Sequence, residues 1–278
     1  MNQSKNSPQD SALLGLKFRS KRLPSWLVQA CNTYFDRLFG FNQFNEIYKR
    51  LPEHEDIQLS KVILDDLNIK LEVLGEPLNK SPSTGPQIFV ANHPHGLVDG
   101  FALDHLINQA RSNFQIMTMY IFRIFPEYEG RFALVDPFKK RKHRSMNVKG
   151  WRQAYRQVSK GGSLLVYPAG AVSRYHLSKN KVTDPDWNPH IATLARRTKA
   201  TIIPIFIHGH NGLSFQIAGL ISRTLQNIFI FKELPKMQNC TLRISIGEHL
   251  PAETWSHISD DTLLINHFRD KVESLQKS

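Results

Sequence analysis

The chemistry-bearing residues of this sequence gather in four segments. The first reads Ile88-Phe89-Val90-Ala91-Asn92-His93-Pro94-His95-Gly96-Leu97-Val98-Asp99-Gly100. An apolar run ending in polar residues and glycine describes a strand that opens into a loop, where open α/β sheets hold their ligands. A histidine with an aspartate six residues on suits a base–orienter pair. The carboxylate keeps one imidazole nitrogen protonated, and the other takes a proton from a substrate hydroxyl. His93 and Asp99 fit those roles, with His95 as the competing base. No Ser or Cys lies in the segment, so direct attack by a substrate hydroxyl is the expected chemistry. Backbone amides near Gly96 are candidate donors to an oxyanion. The competing reading is a helix cap, with Asp99 in the first turn.

The second segment, Ser163 through Arg174, is an apolar strand followed by Pro168, Gly170, Ser173 and Arg174. Small residues there allow close backbone approach, and the planar fork of Arg174 can grip a phosphate. A tight turn with a surface arginine competes. The third runs from Gly130 to Arg144 and places five cations in the six positions from Lys139. Lys139, Lys140 and Arg141 are candidate contacts to phosphate groups; a solvated loop competes. The fourth is Thr201 through Asn211. Its internal Pro204 predicts an edge position or a bulge, because proline removes a ladder donor. His208 and His210 share a face, yet no H-E-x-x-H or Cys/His spacing marks a metal site, and none is expected.

These segments need a scaffold. Apolar runs predict strands at 70–74, 87–91, 115–120, 132–135, 163–167, 201–207 and 241–246, with helices at 98–112, 145–159, 190–197 and 262–276. Strands alternating with helices predict an α/β fold with a central, mostly parallel sheet flanked by helices. Residues 1–10 read as a disordered lead, 11–60 as an amphipathic helical segment, and 61–278 as the main domain. Trp26, Leu27, Ala30, Cys31, Tyr34, Phe35 and Leu38 recur at helical spacing behind the basic group Lys17, Arg19, Lys21 and Arg22. That pattern suits a helix docking on a membrane surface and equally one packed on the domain's own core.

Composition bounds the function. With 41% hydrophobic and 22% charged residues the 278-residue chain is no disordered protein. Two cysteines make no disulfide framework and fit a reducing compartment. A net charge of +12 and a pI near 9.7 favour anionic partners. No RNP, zinc-finger or helix-turn-helix pattern accompanies that charge, so nucleic acid is not the expected partner. No secretory signal is evident, and the longest stretch without Lys, Arg, Asp or Glu, 200–222, holds Pro204, His208, Gly209, His210, Asn211 and Gln216, which suits no bilayer span. The expected location is cytoplasmic, peripheral on the inner face of the membrane.

In this order the segments resemble the lysophospholipid/glycerolipid acyltransferase superfamily, most closely its hemolysin-like, ornithine-lipid-type bacterial branch, over about residues 45 to 250. Asn92-His93-Pro94-x-Gly96-x-x-Asp99-Gly100 looks like the branch's His/Asp motif, and Tyr167-Pro168-Ala169-Gly170-x-Val172-Ser173-Arg174 like its acceptor-binding block. Gly130 to Asp136 takes the place of the block between them; Trp187-Asn188-Pro189 and Pro204-Ile205 follow in order. The resemblance implies acyl transfer from acyl-CoA or acyl-carrier protein to a hydroxyl or amine of a lysolipid, without a cofactor, on an anionic membrane surface. It implies His93 and Asp99 as catalytic residues. It also implies substrate contacts from Asn92, His95, Gly96, Lys139, Lys140, Arg141, Gly170, Ser173 and Arg174. Five residues separate His93 from Asp99, as in that branch. Ala169 and Ala171 stand where the superfamily and the branch carry carboxylates, and Pro137 where an arginine is usual. A non-catalytic membrane-surface protein on the same fold is the alternative that the two alanines favour.

Overall fold

The computed structural model describes residues 24–50, 58–80, 84–136 and 144–277. The lead at 1–10, the basic group at 17–22 and the run Lys139, Lys140, Arg141 lie outside the described residues. The strands are β1 (Lys70–Gly75), β2 (Gln87–Ala91), β3 (Phe114–Met119), β4 (Phe132–Val135), β5 (Ser163–Val166), β6 (Arg174–His176), β7 (Lys181–Thr183), β8 (Thr201–Ile207) and β9 (Thr241–Ile246). Seven form one sheet in the order β1-β9-β8-β2-β5-β3-β4, while β6 and β7 make a separate antiparallel hairpin. From β8 to β4 all neighbours are parallel. β9 runs antiparallel to β8 and parallel to β1.

The helices are α1 (Ser25–Phe39), α2 (Phe41–Lys49), α3 (Leu59–Asp66), α4 (Leu97–Ala110), α5 (Arg144–Ser159), α6 (His190–Thr198), α7 (Leu213–Ile221), α8 (Arg223–Glu233), α9 (Ala252–Trp255) and α10 (Asp261–Ser274). Side chains alternate across a strand, and β2 shows the consequence. Phe89 and Ala91 enter one apolar cluster with α2, α3, α4 and α8, whereas Ile88 and Val90 enter another with α5, α6 and α10. A strand covered on both faces carries a continuous apolar run, which Ile-Phe-Val-Ala supplies.

This two-faced packing also sets the site. The chain leaves β2 for α4 on one face, and its next helix after β5 is α6 on the other. Adjacent strands whose connections diverge leave a crevice at their carboxyl ends, and β2 and β5 are adjacent.

Pro204 lies in a central strand and not at an edge, and of the two expected arrangements the bulge is the one found. Three steps along β8, from Ile202 to Ile205, face four steps of the partner, from Leu250 to Ile246, so a bulge opens there and the missing donor goes unneeded. Helices α7 and α8 and the hairpin β6–β7 do not follow from the sequence pattern: α7 is too uniformly apolar to show a face, and the hairpin strands have three residues each. The segment before residue 60 packs on the sheet. Phe41, Phe44, Ile47 and Tyr48 of α2 are buried in the same cluster as the sheet, with Phe44 edge-on to Phe231 and the Tyr48 hydroxyl donating to Glu127. Within residues 24–50 the open apolar face belongs to α1, with Trp26 67% and Tyr34 63% exposed.

If α2 is core, Phe44→Ala should cost about 3–5 kcal/mol of folding stability, read from guanidinium denaturation. A loss below about 1 kcal/mol would return α2 to the surface.

Candidate active site

Strand β2 ends at Ala91, and the chain does not stop pairing there. The Asn92 side chain takes over: its Oδ1 accepts from the Ile207 amide (2.7 Å) and its Nδ2 donates to the Ile207 carbonyl (2.9 Å). The amide group thus mimics one more ladder step to β8 and sets the direction in which His93 leaves the sheet. Asn92 is a strut, and its polar atoms are committed to backbone.

Asp99 lies in the first turn of α4 with no solvent exposure. Its Oδ2 accepts three N–H groups: His93 Nδ1 at 2.9 Å, the His95 amide at 2.9 Å and the Gly96 amide at 2.8 Å. A carboxylate facing the amides of a helix N-terminus is favoured by the helix dipole. Because an ionised carboxylate only accepts, His93 must carry its proton on Nδ1, and Nε2 is left to take another. One oxygen therefore makes both the helix-cap contacts and the contact to the imidazole. The Gly96 amide, expected to serve an oxyanion, is already bonded to Asp99. Gly96 itself has φ 82°, and a Cβ there would lie 2.2 Å from Ile230 Cδ1, so glycine is required for both the turn and the close packing.

The two histidines separate cleanly. His93 lines the cavity, while His95 is 7% exposed, does not line it, and points Nε2 at the His208 carbonyl (2.9 Å). That bond fixes the proton of His95 on Nε2, and of the two rings that of His93 alone lines the cavity.

Two further residues hold His93. Its ring stacks on Tyr167, centroids 3.9 Å apart and planes 22° from parallel. The Tyr167 hydroxyl is buried without a hydrogen-bond partner, and burial, reinforced by the Asp99 and Asp104 charges, pushes the phenol well above its ordinary value. Asp184, in the linker after β7, accepts from the His93 amide (3.2 Å), from the Ser173 hydroxyl and from Trp187 Nε1 (2.9 Å). Burial raises its carboxyl, with those three donors acting against it. The Ser173 amide donates in turn to the His93 carbonyl (2.8 Å). Ser173 therefore holds the histidine loop and does not line the cavity. Sequence reasoning missed Asp184; the signal was an acidic residue before Pro185 in a stretch rich in turn formers.

The cavity measures about 350 Å³ and is mostly apolar, within the ~300–1,000 Å³ usual for ligand pockets. His93 and Tyr167 stand on it beside Gly96, Gly170, Ala171 and Val172; Met117, Met119, Phe122, Phe125, Phe132 and Val135 line its apolar part. Asn147, Trp151, Asn188, His190 and Asn227 supply a polar sector. Gly170 therefore touches the cavity, as does Gly96. Arg174 does not: it sits on β6, where burial and the neighbouring Arg223 lower it. Among the described residues no group of three His, Cys, Asp or Glu side chains could hold a metal. Nor is any helix there long and apolar enough to cross a membrane.

No protein-family model matches the chain. It is 21% identical over 262 residues to a lyso-glycine lipid O-acyltransferase of Phocaeicola vulgatus, covering 92% of this chain and 89% of the relative. A lyso-glycine lipid O-acyltransferase of Bacteroides thetaiotaomicron is 20% identical over 262 residues, 92% of each chain. The crystal structure of the 1-acyl-sn-glycerophosphate acyltransferase PlsC from Thermotoga maritima superposes with a TM-score of 0.48 at 15% identity, over 90% of this chain and 98% of that one.

The stacking geometry predicts opposite outcomes at one position. Tyr167→Phe keeps the ring and removes an unpartnered hydroxyl, so turnover should stay within about threefold and stability should not fall. Tyr167→Leu should lower kcat at least tenfold with KM little changed, because the imidazole loses its support. Steady-state kinetics on both variants checks this; equal kcat in the two would show that the ring does not position His93.

Proposed function

We infer that this chain, a member of the glycerolipid acyltransferase superfamily, is a lipid O-acyltransferase. One observation carries the reading: a histidine oriented by a fully buried carboxylate stands on the wall of an apolar cavity. The acyl donor is a fatty thioester, of CoA or of a carrier protein, and the acceptor is a lysolipid presented at a membrane surface. The five-residue spacing between His93 and Asp99 supports a place in the hemolysin-like branch.

The step follows from the geometry. The acceptor hydroxyl gives its proton to His93 Nε2 as its oxygen attacks the thioester carbonyl. Asp99 holds Nδ1–H and stabilises the imidazolium that forms. The tetrahedral intermediate collapses, the C–S bond breaks, and the imidazolium returns the proton to the departing sulfur. Nothing in this sequence of steps needs a cofactor. The apolar wall from Met117 to Phe132 suits a fatty chain, and burying each methylene there is worth about 0.8 kcal/mol.

The acceptor reading rests on the wall around Gly170. Ala171 lines the cavity and Ala169 packs on the neighbouring core, so the two positions where the family carries carboxylates offer none here, and the one carboxylate on the cavity wall among the described residues is Asp136. A lyso amino-acid lipid of the kind the two relatives are named for fits such a wall, with Asn188 Nδ2, Asn227 and His190 as the polar contacts to its headgroup.

His93→Ala and Asp99→Asn should each lower kcat by about 10²–10⁴-fold while the circular dichroism spectrum is retained, measured with a palmitoyl thioester and a lyso-glycine lipid. Full turnover in His93→Ala would end the base assignment. Lipid mass spectrometry of cells with and without the gene should show one diacylated species disappear, and an unchanged lipidome would favour the non-catalytic alternative.

A further inference from the structure

Helix α7 is uncharged along its whole length, Leu213-Ser214-Phe215-Gln216-Ile217-Ala218-Gly219-Leu220-Ile221. Its buried residues, Phe215, Gln216, Ala218 and Gly219, already satisfy the domain. What remains is a face of large aliphatic side chains at i, i+4, i+7 and i+8, with Leu213 76%, Ile217 48%, Leu220 49% and Ile221 71% exposed. Scattered exposed apolar residues need no explanation, whereas a contiguous row on one helix does.

The surroundings of this face are cationic. Arg223 begins α8 one residue beyond Ser222, and Arg174 lies near enough that each repels the other. Neither makes an ion pair among the described residues. The hairpin against which α7 packs carries exposed Leu177, Lys179 and Lys181, and its first strand is tied to α7 by the bond from the Tyr175 amide to Gln216 Oε1 (2.8 Å). Two like charges left unpaired beside an apolar row call for an anionic partner with an apolar interior.

We propose that α7, with Arg174 and Arg223, is the element by which this protein docks on an anionic lipid bilayer, its four aliphatic side chains entering the headgroup boundary. This rests on the acyltransferase reading for its purpose. The site's own layout supports the placement. Helix α8 follows α7 directly and lines the catalytic cavity with Asn227 and Ile230, while Gly170 to Val172, just before Arg174, form another part of the same wall. A lipid leaving the bilayer beside α7 would meet the cavity without crossing water. Arg174 thereby gains a role at the membrane surface in place of the substrate contact expected of it. The docking function expected of the N-terminal segment is shared with, or passes to, a helix in the second half of the chain.

The test uses the full chain and vesicles of phosphatidylglycerol and phosphatidylcholine. Ile217→Ser combined with Ile221→Ser should weaken partitioning onto anionic vesicles about a hundredfold, since each removes an inserted aliphatic side chain. Arg223→Glu should abolish the preference for phosphatidylglycerol. Acyl transfer to acceptor dispersed in detergent should be unchanged in both variants. Unaltered vesicle binding by the double serine variant overturns the proposal, as does a loss that follows only Trp26→Ser with Tyr34→Ser in α1. A wild-type dimer that becomes monomeric in the double variant, with no vesicle binding by either, also overturns it and assigns the face to a second copy. Loss of vesicle binding in a protein that transfers no acyl group would uphold the docking surface and reject the acyltransferase reading instead.

Discussion

The structure turns on one oxygen atom. Oδ2 of Asp99, sealed from solvent, accepts hydrogen bonds from the His93 ring and from the amides of His95 and Gly96. Removing a carboxylate from water costs several kcal/mol, and hydrogen bonds to a charged group return about 1.5–3 kcal/mol each. Three such donors and a helix N-terminus are what make a charge tolerable at this depth. The same arrangement that stabilises the charge also fixes the tautomer of His93, so structural and chemical requirements coincide in a single group.

Around that atom the protein builds outward in layers of constraint on His93. Asn92 extends the β2–β8 ladder and aims the loop, Tyr167 supports the ring from below, and the Asp184–Ser173–Trp187 group grips the backbone on the far side. Arg269 of α10 braces this grip by donating to the carbonyls of Asp184 and Pro185. Positioning of this kind is a large part of what an enzyme contributes when the nucleophile belongs to the substrate. It explains why so many polar side chains near the site bond to each other and to backbone instead of facing the cavity.

The cavity and the exposed row on α7 have a common logic. The cavity is apolar because the sheet's crevice is walled by both hydrophobic clusters, with Phe101 and Phe125 from one and Met117 and Ile191 from the other. A cleft made by parting the core inherits the core's composition. The uncharged helix just outside presents similar side chains to the surroundings, so apolar surface continues from the interior towards the place where a lipid would arrive.

By itself the sequence determined the sheet and the pairing of His93 with Asp99. Seven strands and the principal helices were legible because a strand buried on both faces must be a continuous apolar run, and the His93–Asp99 spacing was legible because the short loop from His93 to Gly96 folds back on the first turn of α4. Tertiary structure alone decided the rest. The choice of His93 over His95 depends on the His208 carbonyl, 113 residues from His95. The parts played by Asp184 and Ser173 depend on a hairpin too short to leave a periodic signal. The exile of Arg174 from the cavity depends on where that hairpin turns, and the burial of α2 on contacts with α8 nearly two hundred residues on. Local pattern records which face of an element is apolar; only the packed chain decides which partner covers it, and which polar atoms are left free to act.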